Sequence, residues 1–136
     1  MIGILVVTHG NLGKELINSA ELIVGKQENT FALGLYHGDN IDDFREKVAK
    51  YIQELDNGEG LIVFTDLYGG SPSNTLAITA KKPIGVRFEC ITGVNLPMVL
   101  EALTMRKTLD LSKLKEHCIQ MAHQGIRDLK KELEPK

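Results

Sequence analysis

The sequence predicts an α/β fold, an open parallel sheet of order 2-1-3-4 with helices on both faces. Three observations carry that prediction. Short apolar runs alternate with longer stretches of helical periodicity along the chain, which is the pattern of consecutive βαβ units. Two of the runs, Ile2–Val7 and Leu61–Phe64, are apolar throughout, as strands buried on both faces are. The other two, Thr30–Leu35 and Val86–Ile91, alternate, and Arg87 and Glu89 need water, so both belong at sheet edges. The simplest order that satisfies all four puts strands one and three side by side in the centre.

The elements follow in turn. After Ile2–Val7, Leu12, Leu16, Ala20, Ile23 and Val24 fall on one face of a helix, with Asn11 as N-cap and Gly25 just past its end. Thr30–Leu35 is the second strand. Gly38-Asp39-Asn40 then turns the chain into a helix with Ile41, Phe44, Val48, Ile52 and Leu55 on its apolar face, stopped at Asn57-Gly58. Leu61–Phe64 ends at Thr65-Asp66. Ser71-Pro72 reads as an N-cap with proline at the first helical position, and that helix turns Leu76, Ala77 and Ala80 inward before Pro83. Val86–Ile91 is the fourth strand. Asn95 caps a helix that buries Leu96, Val99, Leu100 and Leu103. One long helix from about Ser112 to Leu133 buries Leu114, Cys118, Met121, Ala122, Gly125 and Leu129.

A length of 136 residues is expected to form a single domain, residues 1–136, with one sizeable core. A hydrophobic content of 43% beside 25% charged residues excludes a disordered chain, and a formal charge of −2 gives no attraction to nucleic acid or an anionic membrane. The first apolar run is too short for a signal peptide, and no run reaches the length of a membrane span. The expectation is a cytoplasmic protein with reduced thiols. Cys90 and Cys118 match no metal or redox spacing and read as small core hydrophobes.

In an open α/β sheet, ligands bind beyond the carboxyl ends of the strands, where the strand order reverses. Order 2-1-3-4 places that point between strands one and three. His9 follows the first strand and Asp66 the third, so the two are expected to face each other across the crevice. A carboxylate accepting from Nδ1–H fixes the tautomer and leaves the Nε2 lone pair free to attack. The helix opening at Ser71 brings unpaired backbone N–H groups to the same place, and Gly69-Gly70 lets the backbone approach closely. The Ser71 hydroxyl could bind a phosphate oxygen as well as cap the helix. Nucleophilic imidazole, orienting carboxylate and anion site together point to phosphoryl transfer through a phosphohistidine. No Walker loop and no acidic cluster for magnesium is present. No cofactor or metal is therefore expected, and the phosphoryl group must come from another protein. His37 lies near an edge-strand end and is assigned to the rim or solvent; His117 and His123, on the last helix, are assigned to its surface or to helix packing.

Val-Val-Thr-His-Gly at 6–10, Thr-Asp-Leu-Tyr-Gly-Gly-Ser-Pro-Ser-Asn at 65–74 and Thr-Gly-Val-Asn-Leu-Pro-Met-Val-Leu-Glu at 92–101 closely resemble the enzyme IIA component of the mannose/fructose/sorbose family. That family belongs to the bacterial phosphoenolpyruvate-dependent sugar phosphotransferase system (PTS). The resemblance extends over essentially the whole chain. It implies that His9 accepts a phosphoryl group from the phosphocarrier HPr and passes it to a IIB component working with IIC and IID membrane components. It further implies that Asp66 orients His9, that Gly70 and Ser71 lie in the phosphate pocket, and that the protein is a homodimer. Two other readings share the same chemistry: the similar IIA-like subunit of dihydroxyacetone kinase, and a regulatory module governed by its phosphorylation state. A histidine phosphatase or mutase is disfavoured, because Thr8 stands where that class has the arginine of Arg-His-Gly.

Overall fold

Residues 1–135 are described by a computed structural model. Four strands, β1 (Gly3–His9), β2 (Thr30–Leu35), β3 (Leu61–Thr65) and β4 (Phe88–Ile91), form one sheet in the order β2-β1-β3-β4. All three pairings are parallel. The predicted order is the observed one. Six helices connect and follow the strands: α1 (Leu12–Val24), α2 (Ile41–Leu55), α3 (Ser71–Ala80), α4 (Leu96–Met105), α5 (Leu111–Gln124) and α6 (Leu129–Glu132). Among the described residues no helix is long and apolar enough to cross a membrane.

Strand parity sorts the core into two layers. Ile4 and Val6 of β1 with Ile62 and Phe64 of β3 pack against α1, α4 and α5. Leu5, Val7, Leu61 and Val63 face the other way, against Phe44, Val48 and Ile52 of α2 and Leu76 of α3. The central strands are thus covered on both faces, which is why their sequences are apolar at successive positions. His9 ends β1 in the parity of Val7, and so emerges on the side of α3.

Several local expectations are revised. The first strand continues through Thr8 to His9, because Thr8 is buried and paired although polar. The Thr8 hydroxyl, rather than the Asn11 side chain, accepts from the Gly13 amide at the start of α1 (2.9 Å). The buried stripe of α1 is Gly13, Ile17 and Ala20, and Leu12 and Ile23 are exposed. Gly13 permits that rotation: a Cβ there would stand 3.0 Å from Val6 Cγ1. The N-cap of α3 is Gly70, one residue before the predicted Ser71. Pro72, Thr75, Leu76 and Thr79 form its inner face, while Ala77 and Ala80 point outward. Buried threonines are tolerated on that face because the Thr79 hydroxyl donates to the Thr75 carbonyl (2.8 Å).

The long C-terminal helix is divided. α5 ends at Gln124, and Asp128 starts the short α6 by accepting from the Lys131 amide (3.1 Å). Gly125 lies against Pro97 so closely that a Cβ would come within 2.5 Å of the proline Cγ. Leu129 and Leu133 are consequently exposed rather than packed. Cys118 is buried as predicted, and burial followed by the Glu101 charge pushes its thiol up to about 12, which leaves it unreactive. Cys90 is not a core residue; it is exposed on the edge strand β4.

Candidate active site

The site is built where β1 and β3 end side by side. Val7 pairs with Thr65, so Asp66, just past the end of β3, comes beside Thr8-His9 at the end of β1. Asp66 Oδ2 accepts twice from His9, from the ring Nδ1 at 2.8 Å and from the backbone amide at 3.0 Å. The two acceptances fix both the ring and the chain that carries it. Asp66 is largely buried, with its side chain 13% exposed, whereas His9 is 49% exposed. Burial pushes the Asp66 carboxyl upward, but the hydrogen bonds from the His9 ring and amide, its own backbone N–H and the ring charge together hold it below its ordinary 3.8. The carboxylate is therefore ionised at neutral pH and can only accept. Nδ1 must then carry the proton, and the exposed Nε2 keeps its lone pair.

The loop from Leu67 to Gly70 brings the start of α3 against this ring. Gly69 has φ +82°, a conformation suited to glycine. Gly70 is needed for a different reason, close approach. A Cβ on it would stand 3.0 Å from His9 Cε1 and 3.7 Å from Nε2. The Gly70 amide closes the loop on the Leu67 carbonyl (3.1 Å), and the first helical bond runs from the Asn74 amide to the Gly70 carbonyl (2.9 Å). Pro72 has no N–H. The amides of Ser71 and Ser73 are thus the donors that the first turn leaves over, at the positive end of the helix dipole. Ser71 lines an open crevice of about 450 Å³ together with His9, Gly10, Leu35, Tyr36 and His37. Among the described residues no three His, Cys, Asp or Glu side chains are grouped as a metal site would require.

The structure brings His9, Asp66, Gly70 and Ser71 together, the four site residues expected from the sequence. It also adds a further wall, of which the sequence had placed only His37, at the rim or in solvent. Tyr36 and His37, on the turn after β2, line the same crevice. The Tyr36 hydroxyl hydrogen-bonds Asn11 Oδ1 across to α1. The signal for this wall was parity and register: His9 pairs with Leu35, so the residues after β2 stand beside those after β1. Asn95 caps α4 through the Met98 amide (3.1 Å), and His117 pairs with Glu101 across α5 and α4 (2.8 Å), so both act in packing rather than in the crevice.

The profile of the family described as "PTS system fructose IIA component" matches residues 3–119. The chain belongs to that family. It is 31% identical over 131 residues to the mannose-specific EIIAB component of the PTS of Escherichia coli K12, a match covering 95% of this chain and 40% of that protein. It therefore spans less than half of that relative. The fructose-specific EIIA component of Bacillus subtilis is 28% identical, with 98% of this chain and 90% of that one covered. Among solved structures, the PTS component EIIA from Streptococcus agalactiae superposes with a TM-score of 0.86 at 29% identity, covering 96% of this chain and 99% of its own. Membership of the IIA family assigns this chain to the sugar phosphotransferase system.

Proposed function

We propose that this IIA component is a phosphoryl carrier in which His9 Nε2 accepts a phosphoryl group from phospho-HPr and passes it to a IIB component. The observation that carries the reading is the Nδ1–Asp66 bond, which makes Nε2 the only ring nitrogen with a free lone pair. In the accepting step, Nε2 attacks phosphorus and a new N–P bond forms. The bond between phosphorus and the donor's nitrogen breaks, and its electron pair stays on the donor. The Nδ1 proton remains in place, so the phosphorylated ring carries a positive charge that the ionised Asp66 offsets. The Ser71 and Ser73 amides and the Ser71 hydroxyl, at the start of α3, are the donors offered to the incoming oxygens in this reading. Transfer to the IIB component reverses the same steps.

Access supports a protein partner. Leu12, Tyr36, Leu67 and Tyr68 are exposed around the site at 46%, 49%, 60% and 86%, an apolar collar of the kind that protein interfaces use. The phosphate then passes to sugar through the IIB component and its IIC and IID membrane partners, with the protein acting as a cytoplasmic homodimer. Incubation with phosphoenolpyruvate, enzyme I and HPr tests the assignment. One acid-labile phosphate per chain is expected, absent in His9→Ala; labelling that persists in that variant would refute it. Transfer onward to a IIB component, rather than to a dihydroxyacetone kinase subunit, is the expected second result.

A further inference from the structure

The crevice beside His9 contains a second imidazole, and the wall that carries it is braced. His37 is exposed on the turn that follows β2 and lines the same crevice as His9 and Ser71. The Tyr36 amide donates to Asp39 Oδ2 (2.8 Å), the Asp39 amide donates back to the Tyr36 carbonyl (3.1 Å), and Gly38 makes the turn with φ +86°. The Gly10 amide donates to the Leu35 carbonyl (2.8 Å), and Gly34 leaves room for the Gly10 carbonyl, which a Cβ would meet at 2.2 Å. The turn is therefore tied to the segment that bears His9, and does not float beside it.

Charge makes this placement meaningful. A phosphoryl group on Nε2 brings about two negative charges to a site already holding the Asp66 carboxylate. The α3 amides answer part of that charge, but none of the six residues lining the crevice is a lysine or arginine. His37 is the one lining side chain, His9 apart, that can be cationic near neutral pH. The titratable groups facing it are few: Tyr36 and Asp39 on its own turn, and His9 across the crevice with Asp66 behind.

We propose that His37 is a phosphate-binding residue, its imidazole N–H donating to a phosphoryl oxygen of phospho-His9 from the turn after β2. The inference rests on His9 being the phosphorylated residue and adds the group that holds its phosphate. Charge-assisted donors of this type are strong, and a bound dianion favours the protonated ring.

Two measurements on the full chain test it. In the first, the His37 ring is titrated by NMR in free and phosphorylated protein; its midpoint is expected to rise by about one unit on phosphorylation. In the second, phosphoryl acceptance from phospho-HPr is timed in His37→Ala and His37→Gln. The alanine variant is expected to lose about tenfold in maximal rate with an unchanged KM for the donor, and glutamine, which keeps an N–H, to recover most of it. An unchanged His37 midpoint, together with a parent-like rate in the alanine variant, would overturn the role of His37 while leaving phospho-His9 intact. Failure of the parent to form phospho-His9 would instead overturn the carrier assignment itself.

Discussion

His9 is half exposed while Asp66 is mostly buried, and this asymmetry divides their work between attack and orientation. Asp66→Asn retains the shape of the side chain but removes the charge that offsets a phosphorylated ring, and it buries an amide N–H₂ where Oδ1 now has no donor. Transfer should fall on the order of 10²–10⁴-fold with the fold retained; stopped-flow or quench-flow transfer kinetics check this, and parent-like kinetics would remove Asp66 from the mechanism. The same variant has a pH signature. The folded carboxyl lies below its ordinary 3.8, so its stabilising contribution is complete above that value and is lost as pH falls through the folded pKa. Urea denaturation should therefore show the stability gap between parent and variant narrowing below about pH 4. Gly70→Ala separates sterics from backbone strain. Gly70 has φ −75° and ψ 165°, which alanine adopts freely, so stability should change by less than about 0.5 kcal/mol. The new methyl would nevertheless stand 3.0 Å from His9 Cε1, and phosphorylation should drop at least about tenfold.

At the scale of elements, the strands reach the site correctly because their other ends are anchored, and Arg106 is the anchor. Only 3% exposed, it follows α4 and donates through Nη1 to the Ile2 and Asn29 carbonyls (3.1 and 3.3 Å). Through Nη2 it donates to Gln27 Oε1 and the Glu28 carbonyl (3.2 and 2.7 Å). One side chain thereby joins the approach to β1, the approach to β2 and the end of α4. Burial pulls its pKa down and the Glu28 charge partly restores it, but an arginine stays charged throughout. Arg106→Met takes the guanidinium donors from the buried Ile2 carbonyl and from the half-buried Gln27 and Glu28 acceptors, while the Asn29 carbonyl keeps the Ile4 amide, and should cost about 3 kcal/mol, read as a lower urea midpoint. Nothing in the sequence flagged Arg106, since a helix-terminal arginine ordinarily lies in water. The division of α5 from α6 was hidden for a related reason. The apolar spacing through Gly125 and Leu129 continues a helical period, and the close packing on Pro97 that requires glycine at 125 involves a residue 28 positions earlier in the chain.

For the molecule as a whole, legibility followed burial. Continuous apolar strands in the centre and alternating ones at the edges were enough to order the sheet 2-1-3-4, and that order alone placed His9 against Asp66. The faces of α1 and α3 were less legible, because Gly13, Thr75 and Thr79 occupy inner positions that hydrophobicity assigns to leucine or alanine. His37 was readable as lying near a strand end but not as a crevice residue, since the turn that aims it depends on Tyr36 reaching Asn11. The same architecture makes one claim that all the chemistry depends on: the proton sits on Nδ1 of His9 and the phosphoryl group goes to Nε2. Nitrogen–phosphorus coupling in ¹⁵N-histidine-labelled, phosphorylated protein measures this directly. A one-bond ³¹P coupling to Nε2 of His9 is expected, with Nδ1 still protonated and bonded to Asp66. A one-bond coupling to Nδ1, or to any other histidine, would contradict it.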